Sequence, residues 1–258
     1  MNAYPLTQEQ IDFYRTNGFV QLDGVLTGDA LETLQQAADE ALQAQFDTSV
    51  DLSSQNPEYR KIFDQRINLW RVSEGIRQHV LNPRIAQIAA QLSGVTPVRI
   101  WHDHLLTKLP GDSKASAWHQ DLPYWPFINE HMLSCWMALD DVTEARGCMQ
   151  FIPQSHSWGL LEPINLMDPQ DIFALAQRPE AAQPPYVAEM KAGSCTFHNG
   201  MTWHYAGPNR TDQRRRALVT IYMPCESVYD GRPHVVTNGL GLTPGQHLEG
   251  DVFPVVFG

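Results

Sequence analysis

Apolar positions in the first third of the chain recur at helical spacing, and beyond about residue 95 they fall into short blocks or alternate. Residues 7–17 read as a short helix, with Thr7 as N-cap, Gln10 three residues on, and Gly18 past the last turn. A short strand over 18–22 follows. From Thr27 a longer helix carries Leu31, Leu34, Ala38, Ala41 and Leu42 on one side and Glu32, Gln35, Asp39 and Glu40 on the other. Residues 47–66 are polar with weak periodicity and read as a loop or lid containing a short helix. A further helix spans 83–92, with Asn82 as N-cap, Pro83 at the first helical position and Gly94 just beyond.

After Gly94 the periodicity changes. Segments 98–108, 117–122, 132–139, 148–152, 186–190, 194–197, 202–205 and 217–223 are short, β-rich and bounded by Gly, Pro, Asn and Asp. Many short strands at that spacing predict a mainly β fold with α, a double-sheet jelly roll of about eight strands. The expected organisation is one domain over 1–258. It comprises a helical layer to about 95, a β core over about 96–225, and a tail over 226–258 that wraps the surface. Residues 154–183 read as an insertion with a helix near 169–177.

Composition narrows the partners. A net charge of -11 over 258 residues disfavours nucleic acid and anionic membranes, which need a positive footprint. No segment suggests a transmembrane span, and the N-terminus lacks a basic start and an apolar run. Cys135, Cys148, Cys195 and Cys225 form no C-x-x-C pair and read as reduced thiols of a cytoplasmic protein. On that reading the Asn209-Arg210-Thr211 sequon has no role.

The chemistry gathers around Trp118-His119-Gln120-Asp121-Leu122-Pro123-Tyr124-Trp125-Pro126. On an extended strand His119 and Asp121 point the same way, which places an imidazole beside a carboxylate. His204 is the best third corner for an iron site of two histidines and one carboxylate. Counting by twos along Arg215, Ala217, Val219, Ile221 and Met223 leaves one arginine heading an apolar row. An unpaired buried charge is costly, so Arg215 is expected to meet an anion, and its planar guanidinium suits a carboxylate. Arg214 and Arg216 fall on the opposite, solvated face. Tyr124, Trp125 and Phe127 could wall a substrate pocket or pack in the core. His102 and His104 share a face, but the nearby glutamate of a cupin metal site is missing. His102 reads as a polar contact in the pocket, His156 and His198 as structural, and Arg66 and Arg71 as solvent-facing residues able to meet an anionic substrate.

His119-Gln120-Asp121, the Glu144-Ala145-Arg146-Gly147-Cys148-Met149 turn, Ile152-Pro153-Gln154-Ser155-His156, and His204 followed by Arg215 together resemble the phytanoyl-CoA dioxygenase family. The resemblance implies a double-stranded β-helix and an oxygenase using Fe(II), 2-oxoglutarate and O2. It implies that His119, Asp121 and His204 bind iron, and that Arg215 pairs with the distal carboxylate of 2-oxoglutarate. It also places Trp136 and His104 at the co-substrate pocket. Two positions depart from the family pattern: Ala206 stands where relatives often have serine, and Gln154 where they have glycine. Related halogenases lack the carboxylate, so Asp121 implies hydroxylation of a small soluble metabolite, with desaturation or demethylation as variants. The competing readings are a silent jelly-roll binding protein and a zinc hydrolase, and neither gives Arg215 a task.

Overall fold

The computed structural model describes residues 4–44, 50–51, 58, 61–111, 113–166, 171, 173–174 and 183–258. Most of the helix expected near 169–177, and most of the one expected within 47–66, lie outside them. Helix α1 (Gln8–Asn17) has the full capping box: the Gln10 amide N–H donates to the Thr7 hydroxyl and the Gln10 side chain accepts from the Thr7 N–H. A cap of this kind stabilises by about 1 kcal/mol. Gly18 closes the helix at φ +82°, where a Cβ would sit 2.5 Å from the Thr202 hydroxyl, so the position requires glycine twice over. Strand β1 (Phe19–Leu22) follows, and helix α2 (Asp29–Gln43) starts two residues later than the sequence suggests. Helix α3 (Glu74–Val80) was not anticipated; seven residues give too little periodicity to read. Helix α4 (Pro83–Ser93) has Asn82 as N-cap, Pro83 first, and Gly94 left-handed at its end.

The remaining strands are β2 (Val50–Asp51), β3 (Asp64–Ile67), β4 (Val98–Lys108), β5 (Ser116–His119), β6 (Leu133–Ala138), β7 (Met149–Phe151), β8 (Tyr186–Ala188), β9 (Cys195–Asn199), β10 (His204–Ala206), β11 (Arg215–Pro224) and β12 (Val255–Phe257). Among the described residues they form two antiparallel sheets. The larger runs β1-β9-β6-β11-β4-β3-β2, with β12 added to the start of β4, and the smaller runs β5-β10-β7-β8. Two corrections follow. Part of the expected lid, Asp64–Ile67, is a strand of the larger sheet, and the tail does not merely wrap the surface. The tail supplies β12 and buries Val236, Leu248 and Phe253.

The larger sheet separates two apolar clusters. Its outer face, with Leu105, Leu133, Met137, Phe197, Leu218 and Tyr222, packs against buried residues of α2, α3 and α4. Its inner face, with Trp101, Trp136, Ala217, Val219 and Ile221, meets Met149, Phe151 and Ala206 of the smaller sheet. A bulge in β4 skips Trp101 in the β11 pairing, where Ile221 faces His102 and Tyr222 faces Ile100. Trp101 and His102 therefore both reach the inner side. Asp103 points outward; its buried carboxylate accepts the N–H groups of Leu69 and Trp70, each at 3.1 Å. Gln154, standing where relatives carry glycine, is left-handed at φ +66°, which gives that preference a backbone reason.

One histidine of the helical layer yields a stability prediction. His79 on α3 is buried with an unpartnered Nδ1, and burial lowers its imidazole from 6.5 to about 4. The unfolded chain therefore takes up the proton first, and stability is lost as pH falls from about 6.5 towards 4. His79→Leu should remove up to about 3 kcal/mol of that acid-side loss. Urea midpoints at pH 7 and pH 4.5 check this: the difference between them should shrink in the variant.

Candidate metal and co-substrate site

His119 and His204 are cross-strand partners at the β5–β10 pairing, and their ring centroids lie 4.1 Å apart. Each ring is fixed from behind. His119 Nδ1 donates to the Ala117 carbonyl at 2.6 Å, and His204 Nδ1 to the Thr202 carbonyl at 2.9 Å. A carbonyl can only accept, so Nδ1 carries a proton in each ring and Nε2 is the atom left for a metal. Asp121 arrives differently from the sequence reading. Strand β5 ends at His119, and Asp121 has helical backbone angles at the head of a 3-10 turn over Leu122–Tyr124. The turn is held by the Gly200 carbonyl, which accepts the N–H groups of Asp121 and Leu122 at 3.0 and 2.9 Å. A Cβ on Gly200 would press to 3.1 Å from Trp125, so its bareness lets the two loops approach.

Asp121 Oδ1 lies 3.7 Å from His119 Nε2 and 3.5 Å from His204 Nε2. One donor atom from each of the three residues lies within 4.8 Å of the others, the sole such metal-binding group among the described residues. The other carboxylate oxygen is held separately: Ser134 donates its hydroxyl to Oδ2 at 3.1 Å, and His198 Nε2 sits 3.3 Å away. Burial by itself would raise Asp121, but His204 and His198 more than reverse this and hold it well below the ordinary carboxylate range. Burial, then the neighbouring His204, lowers His119 to about 3, so its imidazole is neutral.

These residues line a cavity of about 420 Å³. Arg215 also lines it, 1 % exposed, with Nε and Nη1 lacking a hydrogen-bond partner among the described residues and the guanidinium carbon 5.3 Å from the Trp136 ring. Burial lowers Arg215 to about 10, which leaves it cationic at neutral pH. It is the one lysine or arginine among the described cavity-lining residues. Its cross-strand partner Lys108 spends its ammonium on the carbonyls of Lys114 and Ala206, at 2.7 and 3.3 Å.

Of the other sequence-predicted residues, His102, His104, Tyr124, Trp125 and Trp136 all line the cavity. The Tyr124 hydroxyl donates to the Ile164 carbonyl at 2.6 Å and ties part of the 154–183 segment to the site. Trp125 and Phe127 are buried and stacked. Arg66 pairs with Asp64 outside the cavity lining, and Arg71 lies outside it too. Three points add to or correct the expectations. His198, read as structural, lines the cavity and touches Asp121. Arg216 is not solvated: it is buried, with its guanidinium on Asp140 and Asp39 at 2.8 and 2.7 Å. The third concerns residues that the sequence reading passed over at the cavity: Ser134, whose hydroxyl holds Asp121, and Ser116, Gln65 and His234, which line the wall. The period-two rule could have found Ser134, which shares a strand face with Trp136.

Comparison with known proteins gives the same reading of the fold and its class. The sequence profile of the family described as phytanoyl-CoA dioxygenase (PhyH) matches residues 14–217. The methylphosphonate hydroxylase of Gimesia maris is 28% identical over 222 residues, covering 84% of this chain and 80% of that protein. Among solved structures, the non-heme alpha ketoglutarate dependent carbocyclase SnoK from nogalamycin biosynthesis is 28% identical. Its TM-score is 0.82, over 97% of this chain and 96% of its own. The epimerase SnoN, solved in complex with Fe3+, alpha ketoglutarate and nogalamycin RO, is 30% identical, with a TM-score of 0.79 over 96% and 98%. No described helix is long and apolar enough to cross a membrane. The chain belongs to the phytanoyl-CoA dioxygenase family and is a dioxygenase that uses iron, 2-oxoglutarate and O2.

Proposed function

We propose that the protein hydroxylates an unactivated C–H bond of a small-molecule metabolite, with His119, Asp121 and His204 holding the iron and Arg215 holding 2-oxoglutarate. The observation that carries this reading is Arg215: a buried cation with two donors unpartnered among the described residues, in the wall of the cavity that also holds the three metal-ligand candidates. A carboxylate at that point would satisfy both donors in a bidentate pair.

The donor set fits iron(II): two imidazoles whose Nδ1 protons are held by carbonyls, leaving Nε2 as the metal-side atom, and one ionised carboxylate. Burial lowers His204 but Asp121 more than reverses it, so the Nε2 proton of that ring is displaced on metal binding. Bound iron, with 2-oxoglutarate and oxygen, supplies the oxidising power, and succinate and carbon dioxide leave. The chain's own residues set the geometry. Ala117 and Thr202 carbonyls orient the imidazoles, and Ser134 and His198 occupy one oxygen of Asp121 so that the other faces the metal side. Trp136 flanks the Arg215 guanidinium with its ring. Ser116, directly across the strand pair from Ala206, brings a hydroxyl to the cavity wall near the position where relatives carry serine. Tyr124, Trp125 and Leu166 wall the outer cavity and exclude water from the reacting carbon. The presence of Asp121 supports hydroxylation over halogenation.

The test is spectroscopic. Anaerobic protein given Fe(II) and 2-oxoglutarate should develop the visible charge-transfer band of the chelate, and admitting oxygen should release succinate. A protein that binds the metal but shows neither signal is not using this site as assigned.

A further inference from the structure

The cavity holds a second set of histidines, and their hydrogen bonds set their tautomers differently from those of His119 and His204. The Gln65 amide donates to His104 Nδ1 at 2.9 Å, so the His104 proton lies on Nε2. The Val236 backbone N–H donates to His234 Nδ1 at 3.2 Å, which places that proton on Nε2 as well. His102 is the reverse: its Nδ1 faces the Asp103 carbonyl at 3.3 Å and must carry the proton, leaving a lone pair on Nε2. The His102 ring centroid is 5.3 Å from that of His104 and 5.9 Å from that of His234. Among the described residues none of the three Nε2 atoms meets a protein partner. His234 is brought over the cavity by the tail: Arg232 donates to the Pro123 and Trp125 carbonyls, and the Asp230 N–H to that of Pro126.

The trio thus offers two donors and one acceptor to the cavity. Hydroxyl groups complement both kinds of atom, accepting from an N–H and donating to a lone pair. A carboxylate brings acceptors only and would meet the His102 lone pair with repulsion. An anion would also lack a cation, because Arg215 is the one lysine or arginine among the described lining residues. Burial lowers all three imidazoles, His104 and His234 to about 4 and His102 further, so they stay neutral. Among the described residues the three rings form no group of nitrogens close enough together to hold a metal, which argues against a cupin-like centre. We propose that His102, His104 and His234 form a subsite for an uncharged hydroxyl group, so that the substrate is an alcohol-bearing carbon skeleton and not an anion. This rests on the co-substrate reading of Arg215 given above.

Isothermal titration of the anaerobic protein loaded with Fe(II) and 2-oxoglutarate tests it, with cyclohexanol, cyclohexanecarboxylate and methylphosphonate as probes. Cyclohexanol should bind in preference to both anions. His234→Phe should weaken it roughly tenfold, the loss of one good hydrogen bond, whereas His234→Gln, which keeps an N–H donor, should retain most of the affinity. An anion binding more tightly than the alcohol, no alcohol binding at all, or alcohol affinity unchanged in His234→Phe would overturn the subsite. The charge-transfer band is recorded first in every sample. Its absence indicts the iron and 2-oxoglutarate assignment, and its presence with the alcohol ignored indicts this subsite alone.

Discussion

Arg215→Met is expected to cost 2-oxoglutarate binding roughly a hundredfold or more, while the ligand-free protein unfolds at the same temperature or higher. The two effects come from one cause. In the cavity the guanidinium is 1 % exposed and, among the described residues, Nε and Nη1 have no hydrogen-bond partner, so the fold carries a desolvated charge that Asp140 offsets only from a distance. Methionine has similar length, is flexible enough to fill the same space beside Trp136, and removes that penalty. Each kcal/mol so gained raises the midpoint by roughly 2–4 °C in a chain of this size. The ligand loses a buried, hydrogen-bonded charge partner, a change worth about 2–5 kcal/mol of affinity. Calorimetric titration of 2-oxoglutarate, with thermal unfolding in its absence, reads both arms. A variant less stable than the parent that still binds 2-oxoglutarate would show that Arg215 is a structural cation.

That row was legible because strand periodicity is local. Arg215 heads residues spaced by two, and all of them face the inner cluster. The same holds for Asn82, Pro83 and Gly94, whose capping chemistry acts within a turn. What the sequence hides depends on partners far along the chain. Arg216 reads as solvated until Asp39 and Asp140 are brought to it. Asp64–Ile67 has Ile67 as its one apolar residue, so it carries no apolar alternation to detect. His234 sits in a tail rich in Gly and Pro, and its place follows only from Arg232 docking on two backbone carbonyls. His119 and Asp121 do converge, but the expected reason was wrong. Strand alternation stops at His119, and a turn pinned to Gly200 carries the carboxylate round.

That turn makes the metal site sensitive in a graded way. His119→Ala is expected to abolish iron binding, because it removes one of only three ligand atoms on the candidate face. Ser134→Ala and His198→Ala should act more mildly. Neither residue presents an atom to the metal side. Both hold Asp121 Oδ2, at 3.1 and 3.3 Å, which leaves Oδ1 towards the two imidazoles. Freed of both, the carboxylate can rotate about its terminal torsion, which is a soft motion. Loss of such an outer partner weakens metal binding by roughly 10–100-fold. The two changes meet at one oxygen, so the double variant should fall short of the product of the single effects. Anaerobic Fe(II) titrations across His119→Ala, Ser134→Ala, His198→Ala and the Ser134→Ala/His198→Ala pair give the series. Undiminished affinity in His119→Ala would move the metal elsewhere. Parental affinity in both single variants and in the pair would mean that the turn alone positions Asp121.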